Sequence, residues 1–228
     1  MDKKVLVLVG ANSAIGKEVA EILKNDYDII TLSRSDNPIA FAKEHINWSA
    51  ETTDTIKLSE VIDGLVYLPG TINLRPFNRI KDEEFLNDIN INFLGAVRII
   101  RQALPGLLKS PIASVVGIST VAVKTGMSFH SSISSAKGAL ESLIRSLAAE
   151  YAGKIRFNGV APSLTDTPLS AKLLSTDEKK ANLAKNNPMN MIGQPKDIAE
   201  AVAFLITEKS KWVTGQIISV DGGMGIIK

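Results

Sequence analysis

Short apolar runs alternate with segments of helical periodicity along the whole chain. Residues 5–9 form a continuous apolar run rich in β-branched side chains, which predicts a strand buried on both faces of a sheet. Gly10 ends this run, and apolar residues recur at helical spacing from Ala14 onward, which predicts that a helix follows at once. Further strands are predicted at residues 28–33, 46–48, 65–68, 113–119, 155–161 and 216–220.

Helices are predicted in the intervals between these strands. The long periodic segments are residues 82–108, 134–151, 169–184 and 196–206, and short helical pieces are expected at 39–43 and within 49–60. Strands that alternate with helices form right-handed crossovers, which build a parallel sheet covered on both faces. No repeat or linker divides the chain. We therefore predict a single doubly wound α/β domain over residues 1–228, with a parallel sheet of about seven strands and helices on both faces.

The composition is that of a globular chain, and it excludes several kinds of site. Hydrophobic residues make up 45% and charged residues 22% of the 228 positions, which is enough apolar material for a sizeable core. The net charge of +2 gives no electrostatic basis for binding nucleic acid or an anionic membrane. Cysteine is absent, and two histidines are too few for a histidine-based site, so no metal is expected. With no secretory signal and no apolar run of about 18 residues, we expect a cytoplasmic protein.

The first strand, its glycine turn and the following helix create a point suited to negative charge. Unpaired backbone N–H groups and the positive end of the helix dipole meet there, and both favour a phosphate or pyrophosphate. An ordinary βα turn without a ligand is the alternative. We favour the nucleotide interpretation because the strand–turn–helix context is the one that dinucleotide binding requires.

The spacing of this turn, Gly10-x-x-x-Ala14-x-Gly16, resembles the T-G-x-x-x-G-x-G turn of the short-chain dehydrogenase/reductase family, with Val9 in place of the threonine. Landmarks similar to those of the family recur at the strand ends along essentially the whole chain. The resemblance implies a Rossmann-type fold and hydride transfer between a nicotinamide cofactor and a small carbonyl or alcohol. It also implies that the turn binds the cofactor through Gly10, Asn12, Ser13, Ala14, Ile15 and Gly16.

The end of the second strand indicates which nicotinamide cofactor is bound. A carboxylate at this tip would hydrogen-bond the adenosine ribose of NAD, but Ser33 and Arg34 stand there instead. A hydroxyl and a cation suit a 2′-phosphate, as in the NADP-dependent members of the family. A solvated surface arginine is the alternative, and Asp36 is near enough to reach a ribose. We favour NADP(H) over NAD(H).

Three catalytic candidates follow from the resemblance. Asn92, in the segment Asn92-Phe-Leu-Gly95, resembles the family's catalytic asparagine. Thr120, at the end of the fifth strand, aligns with the catalytic serine and keeps a hydroxyl that can donate a hydrogen bond to the substrate oxygen. Lys137 aligns with the lysine of the family's Y-x-x-x-K motif.

The tyrosine of that motif, the family's general acid/base, has no counterpart in this chain. Ile133 occupies its position and cannot exchange a proton. His130 lies seven residues before Lys137, on the same face if the helix begins early, and an imidazole can exchange a proton near neutral pH. Alternatively, His130 only lines the loop before the helix, and Lys137 or a bound water donates the proton.

The remaining family landmarks concern cofactor and substrate binding. Gly70, after the fourth strand, is implied to let the backbone approach the nicotinamide ribose. Residues 161–168 resemble the family's P-G-x-x-x-T segment, and residues 169–188 are expected to form a substrate lid. The cofactor-binding residues implied in that segment are Pro162, Ser163, Thr165 and Thr167.

Two functions of different classes remain open at this point. The first is an NAD(P)-dependent oxidoreductase acting on a small molecule. The second is a nucleotide-binding sensor or partner subunit without redox turnover. The replacements at Val9, Ala14, Ser49 and Ile133 favour it, and the retained Asn92 and Lys137 favour the enzyme. The resemblance implies a homodimer or homotetramer. A role in nucleic-acid binding finds no basic stripe in the sequence.

Overall fold

The computed structural model describes residues 3–227 and contains one sheet of seven parallel strands. The predicted α/β fold class is therefore confirmed. The strands are β1 (Lys4–Val9), β2 (Tyr27–Ser33), β3 (Glu44–Asn47), β4 (Gly64–Tyr67), β5 (Ser114–Ile118), β6 (Arg156–Pro162) and β7 (Ile217–Val220). Their spatial order is β3-β2-β1-β4-β5-β6-β7.

Helices connect these strands on both faces of the sheet. They are α1 (Ala14–Leu23), α2 (Asp82–Ile89), α3 (Gly95–Leu107), α4 (Ala122–Thr125), α5 (Ser131–Glu150), α6 (Asp177–Lys185) and α7 (Pro195–Ile206). A π-helical segment, Asn90–Leu94, joins α2 to α3, so the predicted helix over 82–108 is one helical run with a widened turn. Among the described residues, no helix is both long and apolar enough to cross a bilayer.

Alternate residues of each strand face opposite sides of the sheet, which gives two apolar layers. On one side, Tyr67 and Phe157 of the sheet pack with α3 and α5. On the other side, Leu6 and Leu8 pack with α1 and α7. Since successive residues of a strand point to opposite faces, the continuous apolar run of β1 supplies both layers at once.

Four predicted helical segments differ from the observed ones. Residues 39–43 form a turn, because the N–H of Lys43 already bonds to Ile29 O at the edge of β2. Residues 49–60 contain no helix. The segment predicted at 169–184 is a 3₁₀ turn (Pro168–Ser170) followed by α6, whose N-cap Thr176 accepts a hydrogen bond from Lys179 N. Helix α5 begins earlier than predicted, at Ser131.

The strand order fixes where a ligand can bind. β1 pairs with β2 on one side and with β4 on the other, so the connections run in opposite directions from this point. A crevice opens at such a switch point, beyond the carboxyl ends of the strands. The turn after β1, the tip of β2 and the loop after β4 all reach this crevice.

Candidate active site

The turn after β1 is built so closely that two of its positions require glycine. Gly10 has a positive φ of 80°. A Cβ on Gly16 would lie 2.7 Å from Ala11 O, so no side chain fits there. Ser13 caps helix α1, since its hydroxyl accepts a hydrogen bond from Gly16 N over 3.0 Å. Ala14 and Ile15 form the first turn of this helix, whose exposed N–H groups and dipole suit a phosphate.

A hydrogen-bonded loop at the tip of β2 adjoins this turn. Asn12 Nδ2 donates to Ser33 Oγ over 3.2 Å and to Asn37 O over 2.9 Å, so Asn12 joins the two loops. Ser33 Oγ in turn donates to Ser35 O over 2.9 Å. Arg34 is exposed beside these bonds, and its guanidinium is accessible to a phosphate.

His45 belongs to the same hydrogen-bonded loop, a role that no sequence pattern indicates. Its Nε2 lies 2.7 Å from Ser35 O and its Nδ1 lies 2.8 Å from Thr31 Oγ1. Because a carbonyl oxygen only accepts, Nε2 carries a proton in this arrangement. His45, on β3, therefore supports the hydrogen-bonded loop at the tip of β2. A pairing between neighbouring strands of the sheet has no signal in a single sequence.

Asn92 lies in the π-helical segment and is fully buried. Its Nδ2 donates to Thr71 Oγ1 over 2.8 Å and to Asp88 O over 2.9 Å, while its Oδ1 accepts from Thr71 N over 3.3 Å. Such widened turns occur frequently at functional sites. The interruption of the regular helix is what turns this amide toward the loop after β4.

Tyr67, at the end of β4, supports the widened turn through a hydrogen bond. Its buried hydroxyl donates to Ile91 O inside the π-helical segment, and burial raises the pKa of this phenol. A Cβ on Gly95 would lie 2.3 Å from the same hydroxyl, so the helix needs glycine at that point. Tyr67 is thus a packed strand residue with a structural hydrogen bond.

Lys137 is buried on α5, and its Nζ donates to Ile118 O over 2.7 Å at the end of β5. Burial disfavours the charged form and lowers the pKa of this amine from 10.5 to about 7. A Cβ on Gly70 would lie 3.4 Å from Lys137 Nζ and 3.2 Å from Asn92 Oδ1. The structure therefore brings Gly70, Asn92 and Lys137 together.

The two hydroxyls after β5 have different environments. Ser119 Oγ donates to the buried Glu141 carboxylate over 2.7 Å, so this hydroxyl is engaged within the protein. Thr120 Oγ1 accepts a hydrogen bond from Ala122 N over 3.3 Å. No described residue receives the hydroxyl proton of Thr120, which leaves it available to a substrate oxygen.

Ile133 and His130 both lie at the start of α5. Ile133 is 6% exposed and packs as an apolar residue of the helix. His130 is the N-cap residue, half-buried, and its Nδ1 lies 2.8 Å from Ser128 O. Because the carbonyl accepts, Nδ1 carries the proton and Nε2 has a free lone pair. The helix does begin early enough to place His130 next to its first turn.

The loop after β6 uses its hydroxyls for local bonds. After Pro162, which ends β6, Ser163 Oγ donates to Asp221 O over 3.0 Å in the C-terminal turn. Thr165 Oγ1 donates to Ser163 O over 3.1 Å, and Thr167 Oγ1 lies 3.3 Å from Ser170 Oγ. These hydroxyls keep lone pairs with which they can accept further hydrogen bonds.

Helix α6 belongs to the segment predicted to act as a lid. None of its residues is buried. An ion pair between its Lys180 and Asp166 joins it to the loop after β6. Because so little of α6 is buried, moving this helix away from the rest of the fold costs little free energy.

The residues present fit a nicotinamide dinucleotide. The first turn of α1 follows the glycine turn directly, and its N–H groups at Ala14 and Ile15 can donate to a pyrophosphate. Lys137 Nζ has three N–H donors, and within residues 3–227 its one hydrogen-bond acceptor is Ile118 O. Ribose hydroxyls are acceptors of the kind that this buried amine lacks. No group of three or more residues suited to a metal ion occurs in the described part of the chain.

Comparisons with known proteins agree with this arrangement. The family model described as Enoyl-(Acyl carrier protein) reductase matches residues 42–225. The 3-oxoacyl-(acyl-carrier-protein) reductase FabG of Thermotoga maritima is 26% identical over 250 residues, which cover 99% of both chains. Ligand-free aldohexose dehydrogenase AldT of Thermoplasma acidophilum is 29% identical, with a TM-score of 0.92 over 99% of this chain and 95% of that chain. The structure of ElxO with NADP bound is 28% identical, with a TM-score of 0.87 over 98% and 99%.

Proposed function

Because the chain belongs to the short-chain dehydrogenase/reductase family, we propose that it transfers hydride between a nicotinamide cofactor and a small carbonyl or alcohol. The convergence of Asn92 Oδ1 and Lys137 Nζ on Gly70 carries this proposal. It places a buried amine and a fixed amide at the switch point of the sheet, where the nicotinamide end of a dinucleotide belongs. The NADP found in the similar ElxO structure supports the same class of cofactor.

In this mechanism the nicotinamide supplies or accepts the hydride, and the chain's own residues handle the substrate oxygen and the proton. The hydroxyl of Thr120 donates a hydrogen bond to the carbonyl oxygen and stabilises the negative charge that develops there. Lys137 supplies the proton, directly or through a water, in place of the absent phenol. Asn92 presents an acceptor beside that amine.

We favour Lys137 over His130 as the proton donor because of their environments. Lys137 is buried beside Asn92 and holds a pKa near 7, which matches proton transfer at neutral pH. His130 is half-buried at the helix start and is turned toward Ser128 O. The rate of carbonyl reduction is then expected to fall above about pH 7, as Lys137 loses its proton.

NADP(H) is the cofactor that the loop at the tip of β2 favours. Arg34 is exposed next to the bonds among Asn12, Ser33 and Ser35, so a 2′-phosphate placed there meets a cation and a rigid loop. A carboxylate, which would repel the phosphate, is absent from the tip of β2 itself.

A second candidate is a nucleotide-binding sensor or partner subunit without turnover. The observation that favours it is Ile133, a buried aliphatic side chain at the position of the family's tyrosine. Cofactor binding needs none of the proton-transfer chemistry, so the fold and the glycine turn serve either role. In both cases we propose a homodimer or homotetramer, which light scattering of the purified protein tests.

Steady-state oxidation of NADPH against a panel of small aldehydes and ketones separates the two candidates. We expect turnover that persists in His130→Ala and is lost in Lys137→Met. Turnover lost in His130→Ala and kept in Lys137→Met would assign the proton to the imidazole. Binding of NADPH without turnover of any carbonyl would favour the sensor.

A further inference from the structure

Asp88, on helix α2, is a buried carboxylate that the mechanism above does not use. It is 1% exposed. Its Oδ1 accepts from Thr71 Oγ1 over 2.5 Å and its Oδ2 accepts from Ser132 Oγ over 2.6 Å. No ion pair joins it to a cation in residues 3–227. A buried carboxylate without a cation is costly, so its presence beside the site calls for a role.

The hydrogen bonds around Asp88 have a fixed direction. An ionised carboxylate only accepts, so Thr71 must donate its single hydroxyl proton to Asp88. Ser132 lies in the first turn of α5, where the helix dipole favours the same negative charge. With its proton committed, Thr71 Oγ1 is left as an acceptor toward Asn92.

Three hydrogen bonds orient the amide of Asn92. Asp88 O accepts from its Nδ2 and Thr71 N donates to its Oδ1, and the third bond, to Thr71 Oγ1, depends on this constraint. The Nδ2 of Asn92 is the group that can donate to Thr71 Oγ1, and it does so over 2.8 Å. Its Oδ1 must then lie on the opposite side, where it accepts from Thr71 N and faces the space between Gly70 and Lys137 Nζ. A flipped amide would place an N–H donor against the Thr71 N–H and toward the buried amine.

We propose, on the basis of the proposed function, that Asp88 is a positioning residue that acts through Thr71 to hold Asn92 Oδ1 toward Lys137. The chain of contacts runs from a carboxylate, through one hydroxyl, to one amide, and each step has a single allowed direction. The bond from Ser132 serves a different purpose, because it joins α2 to α5 and does not touch Thr71 or Asn92.

Four substitutions separate this role from a purely structural one. Asp88→Leu keeps a similar volume and removes both acceptor oxygens, and Thr71→Val removes the hydroxyl but keeps the carboxylate. Thr71→Ser restores the hydroxyl and is the conservative rescue. Ser132→Ala is the matched control, since it removes the other hydrogen bond of Asp88 and leaves the bonds to Asn92 intact.

The first measurement is the ¹⁵N–¹H spectrum of asparagine-labelled protein, with the Asn92 side-chain amide assigned by its loss in Asn92→Ser. In the unaltered protein these buried, doubly bonded amide protons are expected to exchange slowly with solvent. In Asp88→Leu and Thr71→Val their exchange should be about tenfold faster or more, because the Thr71 oxygen is no longer held as an acceptor or is absent. Thr71→Ser and Ser132→Ala should retain slow exchange.

The second measurement is kcat for NADPH oxidation, which should fall in the same two variants and recover in Thr71→Ser. We expect a loss of about tenfold or more, since displacing a catalytic group by about 1 Å can cost a hundredfold. Equal effects of Ser132→Ala and Asp88→Leu on exchange and kcat would overturn the proposal and leave Asp88 as a tie between two helices. Unchanged Asn92 exchange in Asp88→Leu would also overturn it. If the unaltered protein oxidises no NADPH, the proposed function fails, and the amide spectrum still decides the role of Asp88.

Discussion

Lys137 Nζ donates to the carbonyl oxygen of Ile118 over 2.7 Å, and this bond holds a buried amine at the carboxyl end of β5. The amine lies beneath the crevice at the switch point of the sheet, close to the amide of Asn92. Its position costs free energy, because burial removes an ammonium group from water. If burial of Lys137 destabilises the fold and also serves the reaction, substitution of this residue should change both stability and turnover.

Lys137→Met is therefore expected to abolish turnover and to stabilise the protein at neutral pH. The folded amine has a pKa of about 7, against 10.5 for an exposed lysine. The unfolded chain binds the extra proton between these values, so the stability of the unaltered protein rises with pH across this window. Lys137→Met lacks the free-energy cost of burying an ammonium group. In the unaltered protein this cost is fully present below pH 7 and is gone near pH 10.5.

Urea unfolding at pH 6 and at pH 10 measures this difference. The advantage of Lys137→Met over the unaltered protein should be a few kcal/mol larger at pH 6, since each pKa unit corresponds to about 1.4 kcal/mol. An advantage that is the same at both pH values would show that Lys137 is not held neutral by burial.

Ile133→Tyr is expected to raise the rate of carbonyl reduction. The change places a phenol one helical turn before Lys137, and a positioned acid contributes about 10²- to 10⁴-fold in rate. The extra volume at a site only 6% exposed should cost about 1 to 3 kcal/mol of stability.

Ile133→Phe is the matched control, because it adds the ring without the hydroxyl. Steady-state oxidation of NADPH by the three proteins should show a gain of about tenfold or more in the tyrosine variant alone. An equal gain with phenylalanine would assign the effect to repacking of the helix rather than to proton transfer.

Arg34→Ala tests the choice of cofactor. Loss of a charge-assisted bond to the 2′-phosphate should weaken NADPH binding by about tenfold and leave NADH binding unchanged. Arg101→Ala, an exposed arginine on α3, is the control. Fluorescence titration gives both dissociation constants, and an equal loss for the two nucleotides would show that Arg34 does not meet the 2′-phosphate.

Arg156 offers a prediction on stability alone. Its guanidinium donates to the carbonyls that end α7 and the turn after it, which belong to Leu205, Ile206, Thr207 and Ser210. Arg156→Met removes these charge-assisted bonds, although Leu205 O, Thr207 O and Ser210 O keep other donors. The change should cost about 1.5 to 3 kcal/mol in urea unfolding.

Lys109→Met is the comparison for Arg156, because it removes a cation whose side chain is 54% exposed and paired with the exposed Glu60. That change should alter stability by at most about 1 kcal/mol. Similar losses for the two variants would contradict the role of Arg156 at the end of α7.

The sheet could be predicted because its signal is local. Each buried parallel strand is a short apolar run, and the glycine turn after β1 predicts the start of the first helix. The segments at 39–43 and 49–60 are different, since tertiary hydrogen bonds such as Lys43 N to Ile29 O decide their conformation. No periodicity in the sequence reports such a bond.

The candidate site could be predicted only at the level of which residues meet. Asn92, Gly70 and Lys137 lie close together in the structure, because the ends of parallel strands share one edge. The contact of Asp88 with Thr71, and that of His45 with Ser35, join residues 17 and 10 positions apart through side-chain geometry. A single sequence contains the residue types for these bonds but not their orientation.

Titration of the purified protein with NADPH and with NADH, followed by nucleotide fluorescence, tests the central claim most directly. A turn formed by Gly10 and Gly16, a buried Lys137 and an exposed Arg34 predict saturable binding of both nucleotides, tighter for NADPH. Failure to bind either nucleotide would contradict the reductase and the sensor alike.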